Sequence, residues 1–323
     1  MRWSFNNANA EREISTTNVS THNARFSGIV KRDFILDVRG YYSGYQFPVP
    51  GVYHLMAYTL IQKYDLAAVD VFRSLRGKGG LFERGLFIAE SEKIVKKVLE
   101  SSIMIASAYM TEEHFENLRP LFNDRADATN VFLASKEEIE KVVGYPLHQG
   151  IMLACRIPEN RPLITAVQKW QSPWMAIALD TIADAENMGA IIRNAAAFGA
   201  SAVIVDEQSC NPWLRRSVRV SMGTIVDMEI IRVPDLAESL RELKASQNVR
   251  IIGAALREDS LDLPEVSPSG NTIIVFGSEG WGLRESVVQE CDVLARIPMA
   301  PGVDSLNVAI ASGIFMHWFR GRY

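Results

Sequence analysis

From about residue 65 onward, short apolar runs alternate with stretches whose apolar residues recur every three or four positions. Gly85 to Glu90 reads as a buried strand. Ser91 to Leu99 follows with helical spacing at Ile94, Val95, Val98 and Leu99, and with Ser91 as its N-cap. Ile103 to Met110 is strand-like. Thr111 to Leu121 is helical, with Thr111 as cap and Glu112 and Glu113 in the first turn, where carboxylates suit the helix dipole. Asn130 to Leu133 is a strand, and Ser135 to Val143 a helix opened by a Ser-x-x-Glu box, Ser135 to Glu138. Ile151 to Arg156 is a last strand. These elements predict a small α/β unit over 65–158. Pro158, Pro162 and Pro173 then mark 159–173 as a linker.

The remainder, 174–323, alternates more regularly. Strands are expected at Trp174 to Leu179, Ala202 to Val205, Met228 to Val233, Arg250 to Ala255, Thr272 to Phe276 and Val293 to Ile297. Helices are expected at Asn187 to Phe198, Pro212 to Met222, Asp235 to Ala245, Leu283 to Gln289 and Leu306 to Arg320. Strands that read as continuous apolar runs between helices imply a parallel sheet covered on both faces. The last helix is apolar almost all round, so it must be buried on more than one side; core packing and a partner subunit would both satisfy this.

Residues 1–64 break the pattern. Met1 to Phe26 is polar, rich in Asn, Ser and Thr, and reads as loosely attached. Phe34 to Tyr53 holds many Tyr, Gly and Pro residues and reads as an irregular extension packed on a neighbour or as a tail that orders on RNA. Val52 to Tyr64 is moderately amphipathic.

Composition narrows the class. Hydrophobic residues make up 48% of the 323, enough for a sizeable core. The net charge of -4 gives no global basic field, so any nucleic-acid contact must be local. Arg215, Arg216 and Arg219 form one local basic cluster; Lys93, Lys96 and Lys97 form another, and His148 is a further polar candidate. The cysteines, Cys155, Cys210 and Cys291, are far apart and form no C-x-x-C pair, so no metal site is expected and a reducing cytoplasm fits. No signal-peptide core and no apolar run of bilayer length is apparent.

In parallel α/β sheets, ligands bind beyond the carboxyl ends of the strands. Three loops there stand out. Asp180 to Arg193 brings Asn187, Gly189 and Arg193; by itself it reads equally as an Asn cap and a solvated Arg. Val275 to Leu283 places Gly277, Gly280 and Gly282 around Glu279. Its G-x-x-G-x-G spacing does not match a dinucleotide fingerprint, which argues against a dehydrogenase. Ile297 to Ala311 carries Ser305, Leu306 and Asn307 at a helix start, where they could cap or face a ligand.

Taken in order, N-x-G-x-x-x-R, G-S-E-G-x-G-L and I-P-M-x-x-x-x-x-S-L-N-V-A resemble the motifs of the SpoU/TrmH family of RNA 2′-O-ribose methyltransferases, in the SPOUT class. The resemblance covers about Trp174 to Tyr323. Gly85 to Arg156, with Y-P-L-H-Q-G at Tyr145 to Gly150, is similar to the small substrate-binding domain that precedes the catalytic domain in many members. The resemblance implies a parallel-sheet catalytic domain with a C-terminal trefoil knot, a cytoplasmic homodimer, and S-adenosylmethionine bound in the knot by backbone groups of Gly277, Ile297 and Leu306. It implies methyl transfer to a ribose hydroxyl of ribosomal or transfer RNA without a metal. Arg193 would be the central catalytic residue, with Asn187, Glu279, Ser305 and Asn307 lining the site and Arg215, Arg216 and Arg219 contacting RNA. A non-catalytic RNA-binding or ribosome-assembly factor on the same fold would need a broken motif, and all five catalytic positions are present.

Overall fold

Side chains on successive strand residues point to opposite faces, and that alternation organises both sheets of the protein. The computed structural model describes residues 25–26, 29–32, 58–61, 67–73, 80–125, 130–267, 270–303 and 305–320. Most of 1–64, including Phe34 to Tyr53, lies outside the described residues.

The first sheet contains β1 (Arg25–Phe26), β2 (Ile29–Arg32), β3 (Tyr58–Ile61), β4 (Leu86–Glu90), β5 (Ile105–Met110), β6 (Val131–Leu133) and β7 (Ile151–Arg156), in the order β1-β2-β3-β6-β5-β7-β4. It is mixed: β6 runs parallel to both β3 and β5, and β7 antiparallel to β4 and β5. Its helices are α1 (Gly80–Glu83), α2 (Glu92–Leu99), α3 (Glu112–Asn123) and α4 (Lys136–Val143). Two of the three expected caps are present. The Thr111 side chain accepts from the His114 N–H, and Ser135 and Glu138 form the reciprocal box. The third is not: Ser91 makes no side-chain cap bond, and the Glu92 N–H donates instead to Gln149 Oε1 at 2.7 Å.

The second sheet holds β8 (Met175–Leu179), β9 (Ala202–Asp206), β10 (Glu229–Val233), β11 (Val249–Ala254), β12 (Leu261–Asp262), β13 (Asn271–Phe276) and β14 (Val293–Arg296), in the order β10-β9-β8-β13-β11-β14-β12. Every pairing in it is parallel. The helices are α5 (Leu163–Val167), α6 (Ala185–Ala197), α7 (Arg215–Val220), α8 (Leu236–Ser246), α9 (Glu285–Val288) and α10 (Val308–Phe319). Along β8, Met175, Ile177 and Leu179 face the core that includes α6 and α10, while Ala176 and Ala178 face the core that includes α5 and α8. A strand buried on both faces has no polar positions to spare, which is why it reads as an unbroken apolar run.

Segment 159–173 does more than link. Its helix α5 buries Leu163, Ala166 and Val167 against the second sheet. The two sheets also touch directly. Phe87 of β4 lies 4.7 Å from the Trp213 ring, Arg215 stands 4.0 Å over the Tyr145 ring, and Lys97 pairs with Asp227 at 2.6 Å. The helix expected from Pro212 begins only at Arg215, because the turn before it is spent bringing Trp213 to Phe87.

Among the described residues, no helix is long and apolar enough to cross a membrane.

Candidate active site

The loops after β8, β13 and β14 meet at the carboxyl ends of their strands. The first of them caps α6 with Asp184, whose side chain accepts from the N–H groups of Glu186 and Asn187 at 2.7 and 3.0 Å. The helix thus starts two residues before Asn187, and the reading of Asn187 as its cap is corrected. With the cap supplied elsewhere, the Asn187 carboxamide is free to reach across the sheet end. Its Nδ2 donates to Glu279 Oε1 at 2.9 Å.

Asn307 closes a triangle. Its Nδ2 donates to Glu279 Oε1 at 2.7 Å and to Asn187 Oδ1 at 2.9 Å. Its Oδ1 accepts from the Ala309 and Ile310 N–H groups, at 3.0 and 3.2 Å, and so caps α10. One end of the amide thus caps the start of the helix, and the other joins the cluster. Three side chains from three separate segments therefore share hydrogen bonds although the chain separates Asn187 from Asn307 by 120 residues.

Beside this triangle lies a cavity of about 400 Å³. Gly277, Glu279, Ile297, Ser305 and Leu306 line it, and its apolar walls include Phe276, Ala295 and Phe315. Gly277 is required by a close approach. A Cβ there would stand 2.2 Å from the carbonyl carbon and oxygen of Gly282. The turn between them is held by Ser278 N–H to Gly282 O at 3.1 Å and Gly282 N–H to Ser278 O at 2.9 Å. Glycine backbone, a flat apolar floor and a polar rim are a donor set suited to an adenosine-bearing ligand.

Gly189 has a different task. A Cβ on it would sit 2.4 Å from the Ser217 carbonyl oxygen, so the glycine lets α6 and α7 pack closely and admits backbone, not ligand.

Arg193 does not join the triangle. It is exposed, six residues beyond Asn187 on α6, and it lines a separate opening with Lys97, Thr224 and Asp227. Six residues turn a helix through about 600°, so the two side chains leave on different faces. The basic cluster on α7 is also divided. Arg215 pairs with Glu90 at 3.5 Å between the two sheets, Arg216 bonds Glu186, and Arg219 is exposed. His148 is exposed, and its carbonyl accepts from Lys136 Nζ at 3.3 Å.

Sequence reading passed over Arg284, Asp180 and Asp206. Asp180 directly follows β8, Asp206 is the last residue of β9, and both are fully buried. Arg284 reaches both: Nε to Asp180 Oδ1 at 2.6 Å and Nη2 to Asp206 Oδ2 at 2.7 Å. Its backbone N–H also bonds Asp180 Oδ2 at 2.8 Å. The glycine-rich loop is thereby pinned to two strand ends. Burial raises the Asp180 carboxyl above its ordinary value despite the bonds from Arg284. For Arg284 burial works the other way, yet the two carboxylates prevail and raise it. The buried aspartates bear the desolvation cost, and the partly exposed arginine bears less. The available signal was a carboxylate directly after each of two buried strands, Leu179-Asp180 and Val205-Asp206.

Residues 175–317 match the SpoU rRNA Methylase family. The 23S rRNA (guanosine-2′-O-)-methyltransferase RlmB of Acinetobacter baylyi is 35% identical over 187 residues, 57% of this chain and 75% of the relative. That of Coxiella burnetii is 33% identical over 221 residues, 66% of this chain and 86% of the relative. Among solved structures, the AdoMet-bound rRNA methyltransferase from Sinorhizobium meliloti superposes with a TM-score of 0.72 at 26% identity, covering 81% of this chain and 97% of that one. The SpoU methyltransferase AviRb from Streptomyces viridochromogenes, at 19% identity and a TM-score of 0.66, shares the fold over 78% of this chain and 94% of its own. On its motifs, its fold and these relatives, the chain belongs to the SpoU rRNA methylase family.

Proposed function

We propose that the protein transfers a methyl group from S-adenosyl-L-methionine to a ribose 2′-hydroxyl in ribosomal RNA. One observation carries this reading: the Asn187–Glu279–Asn307 triangle stands at the rim of a cavity lined by Gly277, Ile297 and Leu306. The cofactor supplies an electrophilic methyl on a sulfonium. Gly277, Ile297 and Leu306 would hold it through backbone groups, and the apolar lining would take its adenine. Asn187, Asn307 and Ser305 would orient the ribose for transfer. Both amides bond Glu279 through Oε1, so the other oxygen is the one placed to accept the hydroxyl proton. A guanidinium offers donors and no acceptor, so Arg193 is given a binding role. It lies about 9 Å further along α6 than Asn187, six residues at 1.5 Å each, and binds a phosphate flanking the target nucleotide, with Lys97 beside it. Arg219 adds a second phosphate contact, and Arg215 and Arg216 join it only if RNA displaces their carboxylates.

The domain division belongs to the same proposal: an extension over 1–64, a substrate-binding unit over 65–158, a connector over 159–173 and the catalytic unit from 174. So does the trefoil knot, which the insertion of β13 between β8 and β11 and the return of α10 onto α6 support. A homodimer is proposed on the groove between α6 and α10, where Ile310 and Ile314 of α10 are 57% and 39% exposed; a cytoplasmic location is proposed with it.

The test is to incubate the full chain with methyl-labelled S-adenosyl-L-methionine and unmodified ribosomal RNA, then digest to nucleosides. Label in a 2′-O-methylnucleoside is expected. Cofactor binding with no transfer to any ribosomal RNA would leave the RNA-binding factor as the reading.

A further inference from the structure

We propose that Trp281 is a stacking platform for a nucleobase of the RNA, next to the ribose held by Glu279; this rests on the methyltransferase reading above. Trp281 is 94% exposed at the tip of the glycine-rich turn and lines the mouth of the cofactor cavity. Every other described tryptophan is engaged. Trp170 donates to Glu229, Trp318 donates to the Val266 carbonyl, Trp174 packs edge-on against Trp170, and Trp213 lies against Phe87. An indole left in water forgoes the burial that its large apolar surface would gain.

The turn that presents it is fixed. Ser278 and Gly282 exchange backbone bonds, and the Trp281 N–H donates to Ser278 Oγ at 3.2 Å. Gly277 lets the turn fold back onto itself, and Arg284 clamps its far end to Asp180 and Asp206. Glu279 belongs to the same turn, two residues earlier. The ring is thus held out beside the catalytic cluster on a rigid mount, with little left to order when a flat partner arrives.

Three kinds of occupant could cover such a ring. A second copy of the chain fits poorly, since the open apolar groove on α6 and α10 takes no lining from the turn. The cofactor fits poorly too: its cavity already has an apolar floor of Phe276, Ala295 and Phe315, and it leaves nearly the whole indole in solvent. A nucleobase fits. A ribose drawn to the triangle from a single-stranded or splayed-out nucleotide leaves its base unstacked, and an aromatic face replaces the stacking so lost. Leu256, 52% exposed on the same cavity rim, extends the apolar contact. Stacking also suits a chain whose net charge of -4 gives RNA no general attraction.

The experiment compares the full-length protein with W281F and W281A. RNA affinity is measured with a short single-stranded RNA and with fragmented ribosomal RNA, cofactor affinity by calorimetry with S-adenosyl-L-methionine. Replacing a stacked aromatic by alanine weakens RNA binding roughly tenfold or more, and that loss is expected for W281A, with W281F keeping most of the affinity. Cofactor affinity stays unchanged in both. The emission that the wild type has and W281F lacks is quenched by the RNA. The proposal is overturned if W281A binds RNA as the wild type does, or if it loses cofactor affinity to the same degree as RNA affinity. Failure of the underlying reading is separate: it shows in the wild type, as absence of methyl transfer to RNA. An inactive wild type with W281A still deficient in RNA binding would leave the platform standing without the catalysis.

Discussion

Asn187 and Glu279, 92 residues apart, meet through a 2.9 Å hydrogen bond from Nδ2 to Oε1, and Asn307 donates to the same oxygen at 2.7 Å. One carboxylate oxygen therefore holds two of the three motif loops to the third. The arrangement separates two roles of Glu279. A glutamine can accept both amide bonds through its own carbonyl oxygen, but it cannot take a proton. If Glu279 is the proton acceptor, E279Q loses about as much turnover as E279A, on the order of 10²-fold or more. If it only braces the amides, E279Q stays close to wild type and E279A alone falls. Single-turnover methyl transfer with saturating cofactor reads the difference.

Arg193 tests a different link, that between the opening on α6 and the RNA. It is exposed and outside the hydrogen-bonded triangle, so its removal leaves the triangle and the fold intact. R193A is expected to lose turnover or RNA affinity by about tenfold or more, with an unchanged melting temperature; R193K, which keeps a charge without the planar fork, should recover part of it. Near-wild-type turnover in R193A would remove Arg193 from the catalytic set.

Much of this architecture was legible in the sequence. The strands of the second sheet are buried on both faces, and the apolar runs at Trp174 to Leu179 and Thr272 to Phe276 announced that directly. The caps at Thr111 and Ser135 were readable because the bonding groups are local, three residues apart. What failed depended on groups distant in sequence. Asn187 looked like a cap, yet Asp184 takes that place, and the partners of Asn187 lie 92 and 120 residues on. Arg215 reads as a contact for RNA, but it pairs with a carboxylate, Glu90, that belongs to the other sheet. Motif spacing could suggest that Asn187 and Arg193 act together; helical geometry puts them on different faces.

Gly189 offers a test of packing alone. A Cβ there would lie 2.4 Å from Ser217 O and 2.9 Å from Val220 Cβ, with backbone on one side and a branched side chain on the other. Neither can withdraw without moving α7. G189A is expected to destabilise the protein by about 1–3 kcal/mol, the usual range for overpacking. Urea denaturation measures this, and a stability gain, as from a simple helix-propensity effect, would show that α7 shifts at no cost.

The final prediction concerns Arg284, because it ties stability to pH. Asp180 and Asp206 are fully buried, and the guanidinium is their shared counter-charge. R284M leaves both carboxylates uncompensated and should cost about 3–5 kcal/mol at neutral pH. The sign of the pH dependence follows from Asp180. Its folded carboxyl titrates above the ordinary value of 3.8 because burial disfavours the charge, so the folded state binds its proton more tightly than the unfolded state does. The stability that comes from the protonated form is present below the ordinary value and is lost as pH rises through the raised one. Removing Arg284 raises that carboxyl further. The gap between R284M and wild type should therefore narrow as pH falls from neutral while still above the ordinary carboxyl range, where a pair of exposed, unperturbed carboxylates would give no change. R284K should fall between the two, since one ammonium cannot serve both carboxylates in the forked geometry. Because the Arg284 N–H also holds Asp180 at 2.8 Å, the substitutions keep that backbone anchor. Loss of turnover in R284M beyond its loss of folded protein then reports displacement of Glu279, five residues earlier on the same loop.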